Sequence, residues 1–191
     1  MPLSPDLAST GNLSPHRLST IPEVSRELEI SRAAAERLVL AEVGGPTYYD
    51  GVNYTMARAD LERLIARREN WATCTEPGIA VKVAPAAWNT EQERFVGWHR
   101  RLDPEALEAA VGRYWAVRDP AHLAERRAAF VATIGGWVVH VASILDVTEP
   151  VFGRGLRAFT LGSPTEDQLL AYEGKRLLPE RGRGVLRLGG V

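Results

Sequence analysis

The sequence predicts an α+β protein in two parts. The first is a small helical unit with one hairpin, and the second is an α+β unit on a curled, partly closed antiparallel sheet. Three observations carry this. Residues 19–68 show helical periodicity interrupted by a single hairpin signal. Residues 130–141, FVATIGGWVVHV, are two apolar strands around a Gly-Gly turn. Short apolar runs between turn residues then continue to residue 188, with one helical stretch among them. The 191 residues suit one large domain or two small ones, and 45% hydrophobic residues suffice for a sizeable core. The expected division is an arm over 1–18, the helical unit over 19–70, a linker over 71–78 and the α+β unit over 79–191.

Residues 1–18 are rich in Ser, Pro and Gly, which predicts a flexible arm. Thr20 with Glu23 forms a capping box, and Pro22 falls in the first turn, where it costs no hydrogen bond. Ile21, Val24 and Leu28 follow at helical spacing. Ile30 lies in a turn, and Ser31 caps a second helix running to about Glu42. Ala35, Leu38 and Val39 face inward on it, with Arg32, Glu36 and Arg37 nearer solvent. Gly44-Gly45-Pro46 ends it. Thr47-Tyr48-Tyr49 and Val52-Asn53-Tyr54 flank Asp50-Gly51, which predicts a two-residue type I′ hairpin. Leu61, Leu64 and Ile65 mark a third helix.

This order resembles the excisionase and MerR-type winged helix-turn-helix families. The matching pieces are Glu23-Val24, Ser31-Arg32, Arg37-Leu38, Gly51 with Tyr54 in the wing, and Ala59-Asp60-Leu61-Glu62 in the closing helix. About 50 of the 191 residues are covered. The resemblance implies a small winged helix-turn-helix DNA-binding domain over 19–70. Its second helix would enter the major groove, and its wing would touch backbone or minor groove. Ser31, Arg32 and Arg37 would then face DNA, Tyr54 would support the wing, and Arg58 completes the DNA-binding set. His16 and Arg17 could reach DNA from the arm. Ala33 and Ala34 leave few groups to read base edges. Glu36 would repel phosphate, and Thr55 stands where the family often has Arg. The same helix pair could instead serve protein contact.

Beyond the linker, Ile79 to Val83 is a strand ended by Pro85. Thr90 starts a polar helix to roughly Arg101, with Phe95, Trp98 and Leu102 on one face. Asp103 caps the next helix, Pro104 to about Val111. Tyr114 to Val117 is a short strand, Ala121 to Ala128 a helical turn, and Phe130–Ile134 pairs with Trp137–Val141. Arg157 to Leu161 is another strand. Ser163-Pro164-Thr165-Glu166 opens a helix closed by Gly174-Lys175, and Val185 to Leu188 is the last strand.

This stretch resembles PUA-like domains, the group with ASCH and EVE members, over roughly 77–190. The residues that carry the likeness are Gly112-Arg113-Tyr114-Trp115, the Phe130–Val141 hairpin, Arg157-Ala158-Phe159 and Tyr172-Glu173-Gly174-Lys175. Members often bind RNA or modified bases, some by extruding a base into an aromatic pocket. Tyr114, Trp115 and Trp137 are the stacking candidates, with Arg157 and Arg183 beside them as a base or ligand pocket. The alternative is that these aromatics are core.

Charge bounds the function. The net charge is −1, so no global basic field draws in a polyanion. Residues 1–70 hold eight arginines against ten carboxylates, whereas residues 150–191 hold seven basic and four acidic side chains, a local +3. The single Cys74 forms no internal disulfide and suits a reducing cytoplasm. No apolar run spans a membrane, and the N-terminus lacks a signal peptide's regions. His16, His99, His122 and His140 do not sit at metal-ligand spacing with one another or with Cys74. No nucleophile elbow or P-loop is present. The expectation is therefore a non-enzyme with no cofactor and no metal, although a nuclease using scattered Asp, Glu and Lys stays open. The leading reading is a cytoplasmic DNA-binding regulator whose C-terminal module takes a second ligand. The alternatives are a base-flipping reader of modified DNA or RNA in a restriction or defence system, and a protein-interaction module. DNA is the expected partner, with RNA or a protein as alternatives and no membrane; the oligomeric state stays open.

Overall fold

The computed structural model describes residues 17–117, 120–148, 155–177 and 184–189. The protein mixes α-helices and β-sheets. Its first unit comprises β1 (Leu18–Thr20), α1 (Ile21–Leu28), α2 (Arg32–Leu40), β2 (Thr47–Tyr49), β3 (Tyr54–Ala57) and α3 (Arg58–Ala66). The Thr20 N–H donates to the Glu23 carboxylate at 2.8 Å, closing the expected capping box. Glu29 takes the left-handed conformation (φ 55°) and turns the chain towards Ser31. Val24, Leu28, Ala35, Leu38, Met56, Leu61 and Leu64 are all fully buried between the helices.

Two details of this unit differ from expectation. Leu18 pairs with Ala57, so the last residue of the expected arm belongs to a strand in the antiparallel order β1-β3-β2. Residues 1–16 of that arm, His16 included, lie outside the described residues. The wing loop holds four residues rather than two, because Tyr49 stands opposite Tyr54. Asp50 explains it: its Oδ1 accepts from the N–H groups of Val52 (2.8 Å) and Asn53 (2.7 Å), a side-chain turn that displaces the tight backbone turn.

The second part begins with β4 (Gly78–Lys82), β5 (Ala87–Asn89), β6 (Arg94–Val96), α4 (Pro104–Val111), β7 (Trp115–Ala116) and α5 (Ala121–Glu125). It continues with β8 (Ala129–Ile134), β9 (Trp137–Val147), β10 (Leu156–Arg157), β11 (Phe159–Gly162), α6 (Glu166–Tyr172) and β12 (Val185–Leu188). Five strands form one sheet in the order β11-β9-β8-β4-β12. The expected antiparallel, partly closed sheet is corrected in two ways. β4 and β8 run parallel, and β11 and β12 are open edges, so the sheet is not closed among the described residues. The parallel pair lies in the middle, and Gly78 to Val81 and all of β8 are buried, as central parallel strands require.

The helix expected over 90–101 is a hairpin, β5–β6, with Trp88 opposite Phe95. Asn89 Oδ1 accepts from the N–H groups of Glu91 and Gln92, both at 3.0 Å, and so diverts the chain from a helix. Glu93 (φ 48°) and Gly97 (φ 102°) are left-handed, which a helix excludes.

The buried apolar side chains of α1–α3 and of one face of the sheet form one continuous cluster, while Ala80, Ala129, Val131, Val141 and Leu188 on the other face form a second with Ala171, Tyr172 and Leu177. A Cβ added at Gly135, in the β8–β9 turn, would lie 3.3 Å from Leu38 on α2. The buried Glu42 carboxylate takes a two-pronged ion pair from Arg101, 2.6 Å from Nη2 and 2.9 Å from Nε. The segment expected as a linker is tied down as well. Ala72 N donates to Arg176 O and Ala129 N to Pro77 O, both at 2.8 Å, and the Tyr172 hydroxyl donates to Glu76 O.

Candidate nucleic-acid interface

The sequence of α2 divides its circumference into three. Ala35, Leu38 and Val39 are buried, while Ser31, Arg32, Ala33, Glu36 and Arg37 are exposed. Between these two arcs lies Ala34, which faces the β8–β9 turn beside Leu38 of the buried arc. Ser31 is spent on folding: its Oγ accepts from Ala34 N at 3.2 Å as the N-cap. Arg32 and Arg37 form no ion pair among the described residues, so their charges are presented to solvent. Glu36 stands between them on the same arc.

In the wing, the half-buried Tyr54 stacks on Tyr49 with ring centroids 4.9 Å apart, and Asp50 to Asn53 form an exposed tip. Arg58 does not point its charge outward. It pairs with Glu62 at 3.1 Å and Glu27 at 3.4 Å, and these hydrogen bonds raise its pKa further. A phosphate would have to compete with both carboxylates for it.

The five C-terminal candidates do not share one place. Trp137 is 2% exposed, with the Arg176 guanidinium 5.2 Å from its ring centre. It is a core residue, not an open stacking platform. Trp115 is half-buried and donates from Nε1 to Val111 O at 2.7 Å. Arg157 stands directly opposite Trp115 across the β7–β10 pair and donates to Thr148 O at 3.0 Å. Arg183 lies outside the described residues.

Tyr114 and Trp115 do meet at a cavity of about 280 Å³, whose other walls include Lys82, Asn89, Gln92 and Arg94. Among the described residues no carboxylate lines it. Arg94 lies 5.5 Å from the Tyr114 ring centre and donates to Phe95 O (3.0 Å) and Ala109 O (2.9 Å). Burial lowers its pKa, with Tyr114 acting against that and Arg113 adding to it. Sequence reasoning singled out neither Arg94, which fell within the expected polar helix, nor Lys82, which fell within the expected strand Ile79 to Val83. The usable signal was Asn89, a turn former just ahead of the polar run.

Among the described residues no group of three or more His, Cys, Asp or Glu is placed to hold a metal ion, and no helix is long and apolar enough to cross a membrane. No family model, curated protein or solved structure matches the chain.

Proposed function

We propose that the protein binds duplex DNA as a regulator, laying the exposed arc of α2 in the major groove with the β2–β3 wing on the backbone beside it. The observation that carries this is the pair Arg32 and Arg37, two cations with no ion pair among the described residues, on one exposed helix arc next to a hairpin. With Ala33 between them and Glu36 opposing them, the arc supplies phosphate contacts more than base readout. Binding is then weak without a second source of specificity, and a C-terminal module supplies that. A reducing cytoplasm suits this reading, since the one cysteine has no partner in the chain.

Replacing both arginines (Arg32→Ala with Arg37→Ala) removes about two phosphate contacts. It should weaken binding and reduce the salt dependence by about 1.8 in log–log slope. An unchanged affinity and slope, with unchanged melting, would discard DNA docking by α2.

A second reading has its own observation. The Tyr114–Trp115 cavity combines ring faces with Arg94 and, among the described residues, no carboxylate, which suits a base and its phosphate. In that reading the protein is a reader of modified DNA or RNA. Tyr114→Ala would then abolish any preference for modified over plain duplex, whereas the arginine pair would not affect that preference.

A further inference from the structure

The cavity between the β5–β6 hairpin and the Tyr114–Trp115 segment holds a charge that the fold does not balance. Arg94 is half-buried in its wall and forms no ion pair among the described residues. Its Nη1 is spent on the carbonyls of Phe95 and Ala109, whereas Nη2 finds no acceptor among those residues. The other charged side chains on the walls, Lys82 and Arg113, are cations as well. Arg113 is exposed and also lacks an ion pair among the described residues. It adds to the lowering of the Arg94 pKa that burial begins.

Taking a charge out of water without a counter-charge is costly, and folded proteins pair such charges. Two carbonyls and the Tyr114 ring hold the Arg94 guanidinium in the wall, so the missing counter-charge calls for an anionic guest. The remaining wall says what else that guest carries. Trp115 is anchored at Nε1 by Val111 O and offers a fixed ring to a planar group. Asn89 commits its Oδ1 to two backbone N–H groups, which leaves its Nδ2 to donate. The volume of about 280 Å³ corresponds to about nine waters, room for one nucleotide. A terminal phosphate carries about −1.5 to −2 charges at neutral pH, so two arginines balance it better than they balance a singly charged link in a strand.

We propose that this cavity binds a free nucleoside 5′-monophosphate, its phosphate between Arg94 and Arg113 and its base against Trp115. This rests on the reading of the cavity as a base site, but it requires no polymer.

The test follows the Trp115 indole N–H signal of the full chain by ¹H–¹⁵N NMR, assigned with Trp115→Phe. Adenosine, guanosine, cytidine and uridine 5′-monophosphates are titrated one at a time, beside their nucleosides and inorganic phosphate, with chloride holding ionic strength constant. At least one monophosphate should shift the signal saturably and raise the melting temperature. Its nucleoside, and phosphate alone, should each bind at least about tenfold more weakly. Arg94→Gln and, at an exposed side chain, Arg113→Gln should each weaken the response by about tenfold, with the ligand-free spectrum certifying an intact fold. No saturable shift with any monophosphate, a nucleoside that binds as well as its monophosphate, or an unchanged response in Arg113→Gln overturns the site. A duplex carrying a modified base completes the series. A shift with that duplex and with no monophosphate sinks the free nucleotide and keeps the base-reader reading. A shift with a monophosphate and none with the duplex keeps the small ligand and sinks that reading.

Discussion

Trp115 and Trp137 show how one residue type takes two roles by position. Trp137 is sealed in the sheet against Arg176, so Trp137→Ala should cost about 3–5 kcal/mol in denaturant unfolding. Trp115→Ala should cost clearly less, since its ring is only half-buried. Equal losses would place both rings in the core and remove Trp115 from the cavity reading. Arg101 makes a different demand. Arg101→Ala strands the buried Glu42 carboxylate and should cost roughly 3 kcal/mol, because an unpaired buried charge is worse than no pair at all. His99 and His140 supply a pH effect. Burial lowers the pKa of both; at His99 the Glu42 carboxylate opposes that and Arg101 adds to it. The folded state therefore binds fewer protons than the unfolded chain below the ordinary histidine value of about 6.5. Stability should be full above that pH and fall as the pH drops through the lowered folded values. His140→Phe should flatten this acid-side loss in a melting series; an unchanged slope would exclude His140 as a source.

At the scale of elements, the β5–β6 hairpin is the sharpest case. Residues 90–101 have a helical apolar face, yet Asn89 and Gly97 dictate a hairpin. A Cβ at Gly97 would lie 2.5 Å from Ala84 O, and the residue's φ of 102° already disfavours any other side chain. Gly97→Ala should thus lower stability by more than about 1 kcal/mol and loosen the wall that holds Arg94. Unchanged melting and an unchanged environment at Tyr114 would mean the hairpin is not what shapes that cavity. The wing shows the same logic on a smaller scale: Asp50 reads as half of an Asp-Gly turn, but its carboxylate accepts two N–H groups and lengthens the loop.

For the whole molecule, the continuous apolar cluster and the docked 71–78 segment predict one cooperative unfolding transition and resistance to proteolysis near residues 69–78. Two transitions, or early cleavage there into two stable fragments, would show instead that the units fold separately. The contact of the β8–β9 turn with α2 gives a further consequence. A side chain at Gly135 would press on Leu38 in the helical unit's core, at a residue whose φ of 59° already disfavours one, so Gly135→Val should lower the melting temperature, and unchanged melting would show that this contact is not tight.

Local chemistry determined much of the first unit. Thr20, Glu23 and Ser31 cap their helices wherever the rest of the chain lies, and Val24, Leu28, Leu38 and Leu64 are apolar at helical spacing and become core. The Phe130–Val141 hairpin and the Asp103 and Thr165 helix starts were legible for the same reason: their signals lie within a few residues of one another. Only the tertiary structure decided what depends on distant neighbours. The parallel pairing of β4 with β8 joins segments some fifty residues apart, and no local pattern encodes the direction of such a pairing. The burial of Trp137, the pairing of Arg58 with Glu27 and Glu62, and the meeting of Arg94 with Tyr114 were likewise set by packing. An aromatic or a cation in a sequence carries its chemistry with it, but the rest of the fold settles whether that chemistry is spent inside the protein or offered to a ligand.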